Sequence, residues 1–415
     1  MGVTGLNKSR IADWCDKIIE IFLYVLIFCL PFSKAMIEIA ASFIIFAWLV
    51  KRITIKNFRP VSTYLNIPIT AYILATFLSV IFSSDFSLSL KNFGTKMMEY
   101  MTLYFIVAET IADRRRLKNI CIVMLVSAAM IGVDCILQYI LGFDFLRCRP
   151  QEAGRVTGSF QMPGSLAAFL GPVLCLSLSL CFLKLKKGIK YFLSLEAVLL
   201  ITLLVVSLTR GAWLGFAVAV CFLGVLENKK IIYLTVAFLL ILGIIVPYLI
   251  ETPENIFAHL KSVFSLTSNL DRKTIWQAAM QMIKDRPLFG HGYTTFMGNF
   301  AKYGQDYHYF KIEGIIPYAH NCYLQIAAET GIVGLVSFLS VIGTFLVHSI
   351  VSLTKIKDRF HHAVLSGISA GIIVTLVHSA VDTNLYSLPL AVLFWFMLGI
   401  NAALQRNVAF GKANS

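Results

Sequence analysis

The chain has 415 residues, of which 58% are hydrophobic and 14% are charged, and its mean hydropathy is +0.78. Soluble globular domains carry about 25% charged residues, so this composition excludes a soluble domain and indicates a protein that crosses a membrane several times. The net charge of +14 would suit nucleic acid as a partner. The basic residues, however, form short clusters between apolar runs, where they determine membrane orientation.

Cysteine usage excludes two further kinds of protein. The nine cysteines lie mostly inside apolar segments, and the sequence has no CxxC pair and no Cys/His spacing typical of a zinc site. Cys148 and Cys322 both fall in segments that we place on the outer side, but nothing else in the sequence supports a bridge between them. The sequence therefore predicts neither a disulfide framework nor a metal centre.

Apolar runs of about 20 residues mark candidate membrane helices, and we count about twelve of them. They predict an all-α, polytopic membrane protein. In chain order the runs cover residues 18–33, 35–50, 63–83, 98–112, 119–142, 165–183, 191–209, 211–227, 231–250, 321–350, 363–381 and 385–404. The predicted organisation is 1–250 with helices 1–9, a large outer loop at 251–320, and 321–415 with helices 10–12 and a tail.

The basic residues set the predicted orientation. If the amino terminus lies inside and the spans alternate, most of the 36 Lys and Arg residues fall in short inner segments, as the positive-inside rule requires. These segments are 1–17, 51–62, 113–118, 184–190, 228–230, 351–362 and the tail. Both termini are therefore predicted on the cytoplasmic side.

The outer segment 251–320 is too long for a structureless connection, and it contains helix signals. Pro253 predicts the start of a first helix. In "NLDRKTIWQAAMQMIKDRPLFGHG", apolar residues at helical spacing predict a second helix over 271–285, capped by Asp271 and stopped by Pro287. We expect these helices to lie on the outer membrane face and to cover the bundle.

Arg210 stands in "VVSLTRGAWLGFAV", where two apolar runs meet with almost no loop between them. An arginine at a membrane boundary faces a cavity or anchors its helix by snorkelling to the interface, and the position fits both roles. The neighbouring Ser207, Thr209 and Gly211 slightly favour a site, because small residues let a ligand approach the backbone.

Arg272 falls in the first turn of the helix predicted over 271–285. A helix start offers unpaired N–H groups and arginine offers a planar fork of donors, which together suit a phosphate or a diphosphate. A solvated arginine on a loop helix is the simpler explanation when this stretch is taken alone.

His320 opens the segment "HNCYLQIAAETGIVG". At 100° per residue, His320 and Gly331 lie on one face of a continuous helix, and Gly331 and Gly334 would let a neighbouring helix approach closely. Histidine is the side chain best suited to proton transfer near neutral pH. A hydrogen-bonded histidine at the membrane interface fits the position equally well.

The outer segments carry acids only singly, and they contain no metal-binding or nucleotide-binding motif. If the chain is an enzyme, cationic side chains rather than a metal are expected to neutralise an anionic substrate. Four acids lie within predicted spans: Glu38, Glu99, Asp134 and Glu196. Their expected role is hydrogen bonding between helices, although a transporter would also place charges inside the membrane.

Several segments resemble the bacterial O-antigen ligase family, which shares its membrane domain with O-antigen polymerases and some protein O-oligosaccharyltransferases. "HNCYLQIAAETGIVG" is similar to the family's histidine signature and places it at His320, followed by Asn321. "SLTRGAWLG" and "DRKTIWQAAMQMIKDRPLFGHGYTTF" resemble two Arg-bearing segments of the family, with Arg210, Arg272 and Trp276. The order and the spacing of these segments are more specific than any one of them.

"GRVTGSFQMPGSLAAFL" is a weaker match and contains Arg155. The resemblance as a whole implies an inverting glycosyltransferase of lipopolysaccharide biosynthesis in the bacterial inner membrane. It would move O-antigen from undecaprenyl diphosphate to a sugar hydroxyl of the lipid A–core at the periplasmic face, among membrane lipids and without a metal, another cofactor or nucleic acid. The residues implied are, for catalysis, His320, Arg210 and Arg272 and, for substrate binding, Arg155, Asn321 and Trp276.

Three alternatives stay open. An O-antigen polymerase has similar spans and cationic loops, and the histidine–glycine signature favours the ligase over it. A protein O-oligosaccharyltransferase usually carries an additional C-terminal region, which is not seen in this sequence. A flippase or transporter of lipid-linked saccharides usually has an inverted repeat, which we do not find.

Overall fold

The structure of the chain, a computed structural model, describes residues 3–111, 113–152, 154–237, 240, 267–304 and 317–409. Within these residues the fold is all-helical, with two isolated β-bridges and no strand. The helices are α1 Val3–Cys29, α2 Lys34–Ile55, α3 Asn66–Ile81, α4 Phe86–Asn92, α5 Met98–Thr110, α6 Arg114–Leu141, α7 Pro163–Cys181, α8 Lys187–Val206, α9 Arg210–Leu226, α10 Thr267–Asp285, α11 Phe296–Tyr303, α12 Cys322–Leu353, α13 Arg359–His378 and α14 Leu388–Ala409.

Local sequence explains where many of these helices begin and end. Five helix starts follow a residue whose side chain accepts a hydrogen bond from a backbone N–H of the first turn, which satisfies an otherwise unpaired donor. These capping residues are Ser33, Asp85, Asp113, Asn321 and Asp358. Pro163 occupies the first turn of α7, where its missing N–H costs nothing.

Six of the described helices are long and apolar enough to cross a membrane: α6, α7, α8, α12, α13 and the Leu388–Arg406 part of α14. Two more, α3 and α9, are apolar but shorter. The predicted all-helical membrane class is confirmed, whereas the number of about twelve spans stays a prediction. Most of the predicted span 231–250 and the helix predicted to begin at Pro253 lie outside the described residues.

The centre of the bundle is formed by α7, α13 and α14, whose most apolar windows are 78%, 72% and 94% buried. Glycines let these helices approach closely. A Cβ on Gly371 of α13 would lie 2.9 Å from the carbonyl oxygen of Pro172 in α7, and a Cβ on Gly215 of α9 would lie 2.7 Å from that of Val374 in α13. As a result α13 is packed between α7 and α9.

The four acids predicted inside spans differ in their surroundings. Glu38 is exposed, whereas Glu99 is half-buried and its Oε1 has no hydrogen-bond partner among the described residues. Asp134 accepts from the backbone N–H of Phe145 at 2.9 Å. Glu196 of α8 accepts from the Ser177 hydroxyl of α7 at 3.2 Å, which is the predicted bond between helices. The cysteines at 148 and 322 are both free, so no bridge joins them.

Ion pairs link several helix ends on one side of the bundle. The pairs are Lys51–Asp16 (2.6 Å), Arg116–Glu20 (2.9 Å), Arg114–Asp358 (2.8 Å), His362–Glu227 (2.7 Å) and the contact of Arg52 with Glu109. Two of them join segments that are both predicted inside: 51–62 with 1–17, and 113–118 with 351–362. In the other three, a residue of such a segment pairs with an acid near the end of a predicted span. The alternation of charged segments is thus reflected in the packing, and the side of the membrane on which they lie stays a prediction.

We expect a membrane-impermeant maleimide to label Cys148 in cells whose outer membrane alone has been permeabilised. The side chain is exposed and belongs to a segment predicted outside, so the reagent should reach it without crossing the inner membrane. Labelling is read by mass shift, with Cys148→Ser as the blank. Lys357→Cys, in a segment predicted inside, should react only after the inner membrane is opened. The reverse pattern would overturn the predicted orientation.

Candidate active site

A cavity of about 630 Å³ lies where α9 begins and α13 ends. His362 and His378 are 16 residues apart on α13, about 24 Å at 1.5 Å per residue, so the cavity and the ion-pair network are at opposite ends of the bundle. Its walls come from the loop 152–165, the turn 208–211, the segment 318–320 and the segment 378–390, with single side chains from α2 and α10.

Four of the six residues singled out from the sequence line this one cavity: Arg155, Arg210, Arg272 and His320. They come from four segments far apart in the chain, and the fold brings them together. Lys34 adds a fourth basic side chain, and the acids in the lining are Glu152 and Asp382. The cavity is therefore net cationic even when its histidines are neutral, which suits a ligand with more than one negative charge.

The backbone on either side of His320 is held by hydrogen bonds. The indole Nε1 of Trp276 donates to the carbonyl oxygen of Ala319 at 3.0 Å, and the N–H of Cys322 donates to the carbonyl oxygen of Ser379 at 2.8 Å. His320 itself has a φ of 47°, a left-handed conformation that residues with a side chain rarely adopt. Neighbouring contacts thus fix an unusual backbone geometry that places the imidazole at the cavity.

Asn321 and Trp276 act on the backbone in this structure. The Asn321 side chain accepts from the N–H groups of Tyr323 and Leu324 at 2.9 and 3.0 Å and so caps α12. Neither Asn321 nor Trp276 is among the described residues that line the cavity. Their predicted substrate-binding roles stay untested, and both positions contribute to holding His320.

Asp382 lies between two histidines. Its Oδ1 is 3.7 Å from Nδ1 of His320, and its Oδ2 is 3.7 Å from Nε2 of His378. Burial alone would raise the pKa of the Asp382 carboxyl, but His320, His378 and the N–H of Thr383 favour the carboxylate and bring the pKa below its ordinary value. At neutral pH the cavity therefore keeps a carboxylate beside the Nδ1 edge of His320.

Sequence reasoning missed His378 and treated Asp382 only as an isolated acid. The stretch "HSAVD" carried a usable signal, because two titratable residues four positions apart at the end of an apolar run face the same side of a helical turn. His378 is 1% exposed and is adjacent to Gly211, where an added Cβ would lie 2.7 Å from the imidazole. A glycine at 211 thus leaves room for this second ring.

Arg210 and Arg272 reach the cavity from different elements. Arg210 is the first residue of α9 and stands two positions after Leu208, which has a left-handed φ of 52°. The prediction that Arg272 lies in a first turn is wrong, because α10 begins at Thr267, four residues before Asp271. Arg272 is in the second turn. The helix α10 therefore brings the guanidinium of Arg272 to the cavity, and not the free N–H groups of a helix start. The charges of Arg210 and Arg272 are close enough to repel each other.

The prediction of a continuous helix face from His320 to Gly331 is also wrong. His320 precedes α12, and Gly331 breaks the helix with φ 67° and ψ −173°. A Cβ on Gly331 would lie 2.1 Å from the carbonyl oxygen of Leu288, so a loop rather than a neighbouring helix occupies the space. Gly334 accommodates the side chain of Thr330 from the same helix. The prediction from the 3.6-residue period failed because it required an unbroken helix between His320 and Gly331.

The loop that follows α10 repairs this break with backbone hydrogen bonds. The N–H groups of His291 and Gly292 donate to the carbonyl oxygens of Ala328 and Glu329 at 3.0 and 2.8 Å. The N–H of Ile332 donates to the carbonyl oxygen of Pro287 at 2.8 Å. This pairing attaches α10, with Arg272, directly to α12.

Glu329 lies fully buried next to the break and is satisfied by four donors. They are the N–H groups of Thr294 and Phe296, the amide of Gln325 and the hydroxyl of Tyr386. A buried carboxylate is costly unless it is hydrogen-bonded in this way. Tyr386 also lines the cavity, so Glu329 connects the loop, α12 and the cavity wall.

A family model described as O-Antigen ligase matches residues 195–339. The match contains Arg210, Arg272 and His320, together with the break at Gly331. Residues 195–339 are therefore similar to the O-antigen ligase family. No curated protein matches the chain.

The cavity extends beyond the matched O-antigen ligase segment. Arg155 precedes it, and His378 and Asp382 follow it, yet all three line the same cavity as Arg210 and His320. The cavity is therefore assembled from both the matched segment and the parts of the chain that flank it.

We expect Gly331→Ala to destabilise the protein. The substitution places a Cβ against the Leu288 carbonyl and imposes a left-handed conformation on alanine, which costs on the order of 2 kcal/mol or more. Thermal unfolding of the purified protein in detergent measures the change. Gly343→Ala in the same helix is the control, because its Cβ meets nothing within 4 Å. Equal melting temperatures for the two variants would show that the break is not constrained.

Proposed function

We propose that this protein is an O-antigen ligase that transfers O-antigen polysaccharide from undecaprenyl diphosphate to a hydroxyl of the lipid A–core at the periplasmic face of the inner membrane. The family domain supports a transferase of lipid-linked saccharides. The observation that carries the specific proposal is the convergence of Arg210, Arg272 and His320 on one cationic cavity.

In this proposal the arginines bind the diphosphate of the donor. Arginine forks match phosphate oxygens in a two-point geometry, and Arg210 and Arg272 approach the cavity from separate helices, so they can engage different faces of the group. As the bond between the anomeric carbon and the phosphate oxygen breaks, the leaving diphosphate gains negative charge. Preorganised cations stabilise that charge, and no metal is invoked for it.

His320 handles the acceptor. The acceptor hydroxyl oxygen forms the new bond to the anomeric carbon, and its proton passes to the imidazole. Direct displacement of this kind inverts the configuration at that carbon. Because Nδ1 faces Asp382, Nε2 is the nitrogen assigned to the hydroxyl, and the carboxylate stabilises the imidazolium that forms.

We expect His320→Ala, Arg210→Ala and Arg272→Ala each to lower transfer about 100-fold or more, the usual cost of losing a general base or a charge-stabilising group. The assay is the lipopolysaccharide banding pattern of a deletion strain that carries each variant, with membrane insertion checked by immunoblot. Lys273→Ala is the matched control for Arg272, since Lys273 is the exposed neighbour on α10 and is not part of the described cavity lining. Near wild-type banding in well-inserted variants would sink the assignment.

The deletion strain also separates the alternative functions. Carrier-linked O-antigen of normal chain length on the periplasmic side supports the ligase. Loss of chain length would indicate a polymerase instead. Accumulation on the cytoplasmic side would indicate a flippase, and a normal lipopolysaccharide with unmodified glycoproteins would indicate a protein O-oligosaccharyltransferase.

A further inference from the structure

The guanidinium of Arg155 hydrogen-bonds to the turn between α8 and α9. Its Nε donates to the carbonyl oxygen of Ser207 at 2.8 Å, its Nη2 donates to the same oxygen, and Nη2 also lies 3.3 Å from the hydroxyl of Thr209. Two nitrogens of one guanidinium are thus engaged by the backbone and a side chain of the turn. Many of the N–H donors of Arg155 are therefore used by the turn and do not point into the cavity for a ligand.

The turn that Arg155 contacts is short and has an unusual backbone conformation. Only Ser207, Leu208 and Thr209 separate the end of α8 from Arg210, which opens α9. Leu208 has a φ of 52°, a left-handed conformation that is unfavourable for any residue with a side chain. The Thr209 side chain does not cap α9. Arg155 supports this turn from outside it, and the direction of Arg210 depends on the turn.

Arg155 is itself held in place. Backbone hydrogen bonds of 3.0 and 3.1 Å in both directions join Arg155 and Glu152. Two residues further on, the N–H groups of Thr157 and Gly158 donate to the side-chain oxygen of Gln138 in α6 at 2.8 and 2.9 Å. The guanidinium is thus presented to the turn by a loop anchored on α6.

Arg155 lies close to charges of both signs. Burial lowers the pKa of Arg155, and although Glu152 opposes this shift, the neighbouring charge of Arg210 adds to it. A guanidinium placed next to another arginine and committed to a carbonyl oxygen is suited to fixing a backbone.

We propose that Arg155 is a positioning residue, which holds the Ser207–Thr209 turn so that Arg210 is directed into the cavity. The inference rests on the proposed function for the role of Arg210, and it replaces the substrate-binding role that the sequence suggested for Arg155. A lysine cannot substitute, because one ammonium on a flexible stem cannot reproduce the planar two-nitrogen grip.

The first test measures the turn directly and does not depend on catalysis. Hydrogen–deuterium exchange is followed by mass spectrometry on the purified full-length protein and on Arg155→Lys. We expect peptides that cover residues 207–213 to exchange at least about tenfold faster in the variant, since their amides lose the support of the turn. Peptides of α13 should be unchanged, which shows that the variant is folded.

Arg147→Lys is the matched control. Arg147 lies in the same connection between α6 and α7 and also donates to a backbone carbonyl, that of Phe32, at 2.6 Å. It is not among the described residues of the cavity wall. Exchange in 207–213 should stay as in the wild type. Unchanged exchange in Arg155→Lys as well would overturn the proposal, whatever the activity of the protein.

The second test uses a double-mutant cycle of Arg155→Lys and Arg210→Lys in a transfer assay with purified donor and acceptor. If Arg155 acts through Arg210, the double variant is no slower than Arg210→Lys within about twofold, and both single variants change kcat and KM for the donor in the same proportions. Losses that multiply would show that Arg155 contacts the diphosphate independently. Absence of transfer by the wild type would contradict the proposed function, and the exchange experiment would then decide alone whether Arg155 holds the turn.

Discussion

The break in α12 imposes the constraint on which the site depends. Gly331 separates two turns that an unbroken helix would join by hydrogen bonds from residues 332 and 333 to residues 328 and 329. Backbone groups left unpaired at membrane depth cost several kcal/mol each. The loop that follows α10 supplies partners for all four groups. The loop therefore satisfies the four backbone groups that the break leaves without partners inside the helix.

This pairing determines which side chains share the cavity. It holds α10, and thus Arg272, against the half of α12 that begins just after His320. Glu329 extends the same connection to Tyr386 in the opposite wall through a hydroxyl hydrogen bond of 2.9 Å. On the other side, α13 packs between α7 and α9 and brings Asp382 to the imidazole. Backbone bonds, a buried carboxylate and close helix packing thus build one site from segments distant in the chain.

The sequence predicted the helical membrane class well, because apolar runs of spanning length depend only on local composition. It also singled out four cavity residues, largely through segments that resemble a known family. Prediction from the sequence failed where hydrogen bonds from a distant segment of the chain determine the local structure. A period of 3.6 residues could not reveal that a loop packs against Gly331. The apolar stripe of α10 did not indicate that the helix starts at Thr267. Trp276 hydrogen-bonds to a backbone carbonyl 43 residues away, a contact that leaves no local pattern.

The excess of positive charge around the cavity has a consequence for turnover. In the proposed reaction the donor diphosphate is linked to sugar and lipid at its two ends, and it gains one negative charge when the sugar leaves. The spent carrier is thus more anionic than the donor that preceded it. Arg210 and Arg272, which favour its departure from the sugar, also favour its retention in the cavity. Product inhibition is therefore built into the same electrostatics that promote the chemistry, and release of the carrier competes with bond formation for control of the rate.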